Sequence, residues 1–256
     1  MSFPYIIWTM QRTGGTTLAA LLADLSEYSG IEHEPFNPER MLGWVTKGWL
    51  ETRDEEKLRA DMAKALESLP LIKHCYELLP LEVNRVLMEV SCALGYRHII
   101  LDRRAEPRRV LSLELAKLTG AWGGKDAGAV YGQIERGELQ LEPMNVDGAL
   151  RHMTYCQKQR QALQDLFTAQ GTSAFVIYFE DVYADPEAGR QRIRRLLDFL
   201  GIDPAAHADY EAWVDDALLR KGQNSARVME AVPNIAKARD VLWEGFKTCK
   251  FSFEPS

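Results

Sequence analysis

The chain of 256 residues is 46% hydrophobic and 27% charged, which suits one large globular domain with a sizeable core and excludes a disordered or fibrous chain. Its formal net charge of −6 argues against a broad basic face for nucleic-acid backbone, although local arginines can still meet a small anion. No stretch approaches the roughly 20 apolar residues of a membrane helix, and the N-terminus lacks the basic, apolar and small-residue succession of a secretory leader, so a cytoplasmic protein without membrane or nucleic-acid partners is expected.

The first predicted element is a strand at Tyr5-Ile6-Ile7-Trp8, apolar throughout as in a parallel sheet buried on both faces. Gly14 and Gly15 follow, permitting a sharp turn and close approach of backbone to a ligand. Thr16 is placed to cap a helix that Leu18, Leu21, Leu22 and Leu25 continue at helical spacing. A strand, a glycine turn and a helix start hold an anion through free N–H groups and the positive end of the helix dipole. Arg12 adds a permanent cation with a planar fork of donors. Arg12, Thr13, Gly14, Gly15, Thr16 and Thr17 are therefore candidate phosphate ligands. An ordinary magnesium-nucleotide loop reads G-x-x-x-x-G-K-[ST], but here no glycine opens the loop and the cation precedes the glycines instead of following them.

Further along, Glu32-His33-Glu34-Pro35-Phe36-Asn37 follows the first helix. Glu34 is a candidate general base there, since partial burial lifts a carboxylate toward neutral pKa. Helical patterns are predicted over 55–69, 83–94, 110–118 and 148–170, and further strands over 70–76, 96–101 and 174–179. Strands alternating with helices predict a P-loop-type α/β fold, a parallel sheet flanked by helices on both faces, formed as a single domain over residues 1–256. The 70–76 strand carries Lys73 and His74, which alternation places on opposite faces. After the 96–101 strand come Arg103, Arg104, Arg108 and Arg109, at a strand end where ligands of open α/β sheets bind. Residues 120–148 are expected to be a long irregular excursion, of the kind that serves as a lid or binding loop. Asp185-Pro186 then opens a helix that Gly201 ends.

The four cysteines lack C-x-x-C spacing and read as reduced, and the five histidines show no ligand pairing, so no metal site is expected.

QRTGGTTL (residues 11–18) resembles the 5′-phosphosulfate loop of the sulfotransferases, P-[KR]-[ST]-G-[ST]-T-x-L, with Gln11 in place of Pro and Gly15 in place of Ser or Thr. Arg104, followed eight residues later by Ser112, is similar to that family's R-x(7)-S element for the 3′-phosphate. Ser112-Leu113 through Thr119-Gly120-Ala121-Trp122 resembles the bacterial branch that sulfates sugars. Residues 176–186 resemble its Y-E-D-L-x-x-D-P stretch with Phe179 for Tyr, and Arg220-Lys221-Gly222 its R-K-G loop.

The resemblance implies 3′-phosphoadenosine 5′-phosphosulfate (PAPS) as donor, no metal, and a small-molecule acceptor such as a sugar, alcohol or phenol. It implies that Arg12 and Lys73 neutralise charge on the transferring group, that Arg104, Ser112, Arg220, Lys221 and Gly222 bind the 3′-phosphate, and that Glu34 or His74 is the base. Two other functions fit the loop: a P-loop kinase or hydrolase with a degenerate loop, and a non-catalytic binder of an adenosine bisphosphate.

Overall fold

The computed structural model describes residues 2–28, 30–219, 225–248 and 251–255. In chain order the elements are β1 (Tyr5–Thr9), α1 (Gly15–Asp24), β2 (Ile31–His33), α2 (Gly43–Thr52), α3 (Glu55–Ala65), β3 (Leu71–Cys75), α4 (Leu81–Ala93), β4 (Arg97–Asp102), α5 (Glu106–Thr119), α6 (Gly124–Glu135), α7 (Val146–Gln170), β5 (Phe175–Tyr178), α8 (Phe179–Tyr183), α9 (Pro186–Leu200), α10 (Tyr210–Leu219), α11 (Ser225–Met229) and α12 (Ile235–Thr248). The chain divides into two compact units, one of residues 1–102, 161–219 and 253–256, the other of 103–160 and 220–252.

The first unit holds a five-stranded sheet in the order β2-β3-β1-β4-β5, and every pairing is parallel. The fold is therefore α/β with a parallel sheet, as the alternating pattern implied. β1 and β3 are buried at every position, which is why both read as unbroken apolar runs apart from Lys73 and His74. On one face Tyr5, Ile7, Leu71, Ile99, Leu101 and Ile177 pack against Leu18 and Leu22 of α1, Ile193, Leu196 and Leu197 of α9, and Val214 of α10. On the other, Trp8 and His98 meet Phe167 of α7, and His74 meets Asn84 of α4. Helices thus cover both faces. α9 starts at an Asp185 side chain that accepts the Ala188 N–H and ends at Gly201 with φ 69°, the cap and stop its sequence announces.

The second unit is helical. Residues 120–148, expected to be irregular, contain α6, whose Ala127, Tyr131 and Ile134 are buried with Val110 and Leu115 of α5 and Ala149 and Met153 of α7. Those three residues lie at i, i+4 and i+7, so burying one stripe overrides the low helix propensity of the glycines at 124, 128 and 132. Among the described residues no helix is long and apolar enough to cross a membrane, and Cys75, Cys92 and Cys156 are free.

Candidate functional site

The phosphate-type loop leaves the carboxyl end of β1 and enters α1. Its backbone is unusual at two places: Gly14 has φ 87° and Arg12, not a glycine, has φ 67°. A side-chain-bearing residue in the left-handed region is strained by about 1–2 kcal/mol, and such strain collects where a site needs a particular backbone shape. Gly14 is itself the N-cap of α1, and no side chain caps the helix. Thr16 therefore lies inside the first turn, exposed, instead of capping it. The helix starts two residues earlier than a Thr16 cap would place it, because the left-handed glycine ends the loop. The first N–H groups of α1 are left without intrahelical acceptors. Thr13 is buried, and its Oγ1 has no hydrogen-bond partner.

Gly14 is required by its neighbour, and Gly15 is closely approached by one. A methyl group on Gly14 would lie 2.7 Å from the Phe179 ring, and one on Gly15 would lie 3.3 Å from Cε of Lys73. Phe179, the first residue of α8 directly after β5, thus packs directly on the loop, and the stem of Lys73 crosses beside the start of α1.

Lys73 is drawn to this place by the register of the sheet. It pairs with Ile7 of β1 and His33 of β2, so its side chain faces the α1 side with Ile7. Buried to 7% exposure, its Nζ meets Oε1 of Glu34 at 2.6 Å. Glu34 is the residue after β2. Its N–H donates to the Lys73 carbonyl at 2.7 Å, and its φ is 53°, which makes it the second side-chain-bearing left-handed residue at the site. The Cys75 thiol donates to Oε1 of Glu34 at 3.3 Å, and Nδ2 of Asn37 donates to Oε2 at 3.3 Å. Burial, the largest single influence, works to raise the pKa of Glu34, but the Lys73 ammonium, the hydrogen bonds from Lys73 and Cys75 and the Arg40 charge together hold it below the ordinary carboxylate value. The structure thus reverses the expectation of a carboxylate lifted by burial. Burial likewise works to lower the pKa of Lys73 and is outweighed by the neighbouring Glu34 and Glu77 carboxylates. Burial pushes the Cys75 thiol up, so it remains a donor.

His74 faces the other way. It pairs with Trp8, is 1% exposed, and is packed edge-on to Trp8 with ring centroids 5.1 Å apart. Asn84 donates its Nδ2 to the Tyr76 carbonyl at 2.9 Å, which presents Oδ1 to Nε2 of His74 at 2.7 Å. The imidazole therefore carries its proton on Nε2. Burial lowers its pKa to about 4.

The structure brings together residues 12–17, Glu34 and Lys73 within the first unit, and places His74 on the opposite face of the sheet. Arg104 is exposed between β4 and α5, and Ser112 is half-buried on α5; both belong to the second unit. Arg220, Lys221 and Gly222 lie outside the described residues. Of the four clustered arginines, Arg109 is fully buried and makes a two-pronged pair with Glu106, its Nε reaching Oε2 at 2.9 Å and its Nη2 reaching Oε1 at 2.8 Å. Arg160 adds a 2.6 Å bond to the same carboxylate.

One residue beside the loop was not singled out from sequence. Oε1 of Glu77 accepts the Gln11 N–H at 2.7 Å, and the only sequence signal for it is an acid two residues beyond an apolar strand. In comparisons with known proteins, no protein-family model, no curated protein and no solved structure matches the chain.

Proposed function

We propose that the protein is a sulfotransferase that moves a sulfonate from 3′-phosphoadenosine 5′-phosphosulfate to a hydroxyl or amine of a small acceptor such as a sugar, alcohol or phenol. The observation that carries this reading is Lys73. Its stem lies against the first residue of α1 and its ammonium against Glu34, so one cation reaches both an anion-binding helix start and a carboxylate able to take a proton.

The loop residues 12–17 hold the 5′-phosphate end of the donor through backbone N–H groups and the Arg12 charge. The donor supplies an activated sulfonate whose S–O bond to the phosphate breaks as the acceptor oxygen bonds to sulfur. Glu34 takes the acceptor proton, while Lys73 and Arg12 neutralise the charge that develops on the bridging oxygen. Such a site works by positioning and preorganised charge. Arg104, Ser112 and residues 220–222 belong to the proposal as the 3′-phosphate contacts, and a cytoplasmic location belongs to it as well.

The test is thermal stabilisation by 3′-phosphoadenosine 5′-phosphate compared with ADP and Mg²⁺. A rise in melting temperature with the bisphosphate alone is expected. A rise with ADP and Mg²⁺ alone would replace this reading with a nucleotide kinase or hydrolase.

A further inference from the structure

Glu77 is a buried carboxylate for which the proposed transfer has no use. It is 4% exposed and sits in a single 3-10 turn, Tyr76–Leu78, directly after β3. Placing an anion at the foot of an anion-binding loop opposes the electrostatics such a loop needs. Burying an ionised carboxylate is also unfavourable unless hydrogen bonds hold it. What it does there is accept the backbone N–H of Gln11, 66 positions away in sequence, in a 2.7 Å charge-assisted bond. Gln11 is the residue before Arg12, which carries the left-handed φ of 67°. The strained residue is followed by Thr13, which is buried, and by Gly14, the N-cap of α1, so the strain lies between a hydrogen bond on one side and a buried residue at the helix start on the other.

We infer that Glu77 is a positioning residue: its carboxylate clamps the loop at Gln11, holds Arg12 in the left-handed conformation, and so presets the backbone that receives the phosphate end of the donor. This rests on the reading of residues 12–17 as the donor loop. A second consequence concerns Lys73. Glu77 adds to Glu34 in keeping Lys73 charged against burial, so the acid that shapes the loop also supports the cation beside it.

The test uses the full chain carrying Glu77→Ala or Glu77→Gln, with folding checked by circular dichroism. Titration with 3′-phosphoadenosine 5′-phosphate and amide hydrogen exchange at Gln11 are then compared. Glu77→Ala is expected to weaken the bisphosphate by about tenfold or more and to accelerate Gln11 exchange by a similar factor, because the clamp is lost. Glu77→Gln keeps an acceptor oxygen in place and is expected to stay within about threefold of wild type in both readouts. Bisphosphate affinity in Glu77→Ala equal to wild type overturns the inference, as does a Glu77→Gln variant that behaves like Glu77→Ala. Should Glu77→Ala fail to fold, the wild-type protein still decides: a Gln11 amide that exchanges as fast as an unprotected one overturns the clamp. If the wild type does not bind the bisphosphate at all, the donor assignment fails, while the exchange contrast between the two variants still reads the clamp.

Discussion

Lys73 and Glu34, 39 positions apart in the sequence, form an ion pair 2.6 Å long in which the lysine is almost completely buried. The pair keeps Glu34 ionised, the form in which a carboxylate accepts a proton. It also holds the lysine beside the first residue of α1, where the proposed transfer needs a cation.

Glu34 carries the acid side of this relationship. Its folded pKa lies below the ordinary value of 4.5, so the stability it contributes is complete above that value and is lost as pH falls through the folded pKa. Lys73 runs the other way. Its pKa is raised above 10.5, so its share is complete below that value and is lost as pH rises through the folded pKa. The melting temperature of Glu34→Gln should therefore fall less steeply than that of wild type on acidification below about pH 4.5. The same variant should lose turnover by about 10²–10⁴-fold and still bind 3′-phosphoadenosine 5′-phosphate. Parallel acid limbs in the two melting profiles would break the link.

Lys73→Met removes the ammonium and leaves burial acting on Glu34 against the Cys75 and Asn37 hydrogen bonds. The pKa of Glu34 rises. A pH–rate profile of this variant should show its acid limb displaced to higher pH, on top of a loss of about 10²–10³-fold from the missing charge. An acid limb left where wild type has it would mean that another group accepts the proton.

His74 offers the opposite case, a titratable group whose neutral form the fold requires. Its folded pKa of about 4 lies below the ordinary 6.5, so the unfolded chain binds more protons in that interval and stability falls as pH drops from 6.5 toward 4. His98, also held near 4 by burial, acts in the same direction. His74→Ala should destabilise by about 2–4 kcal/mol, through lost packing and an orphaned Asn84 oxygen, and should flatten the slope between pH 6.5 and 4 in urea titrations. A loss of turnover larger than the loss of folded protein would move the base from Glu34 to His74.

The sheet was legible because β1 and β5 are short runs of apolar and aromatic residues, and β3 and β4 carry such runs around Lys73, His74 and His98, all too short for helices and bounded by helical patterns. β2 was not: Ile31–His33 is three residues long, only half-buried at two positions and exposed at the third, so it offers neither length nor alternation. The opposite facing of Lys73 and His74 follows from the period of two and needed no coordinates. The Glu34 pair did need them, since its pKa depends on a cation contributed by a strand 39 residues later. The same holds for Glu77, whose partner is a backbone N–H invisible to any side-chain motif. Arg109 was misleading for a similar reason. In sequence it is one of four arginines beyond a strand, and the buried cluster it forms around Glu106 is completed by Arg160, 54 positions beyond that acid.

That cluster gives a stability prediction within the second unit. Burial works to raise the pKa of Glu106, but Arg109 and Arg160 outweigh it and hold it at about 2. Its contribution is therefore present above the ordinary 4.5 and lost only as pH falls toward 2. Glu106→Ala leaves two buried guanidinium groups without their shared carboxylate and should destabilise by about 3–5 kcal/mol, read as a shift of the urea midpoint at neutral pH. A loss under about 1 kcal/mol would show that neighbouring groups or water replace the carboxylate.

Arg12 separates function from stability. The guanidinium serves the proposed donor site, whereas its φ of 67° burdens the fold. Arg12→Ala and Arg12→Gly both delete the charge and should both abolish transfer. They differ in backbone: alanine keeps the left-handed strain and glycine relieves it. After allowing for the greater freedom of glycine in the unfolded chain, Arg12→Gly should exceed Arg12→Ala in stability by about 0.5–1 kcal/mol. Equal stability would mean that residue 12 relaxes out of the left-handed region once its side chain is cut back. In that case the strain is imposed by the arginine's own contacts and not by the Glu77 clamp on the preceding residue, and circular dichroism melts of the two variants with and without Glu77→Ala, which removes the clamp, would locate its source.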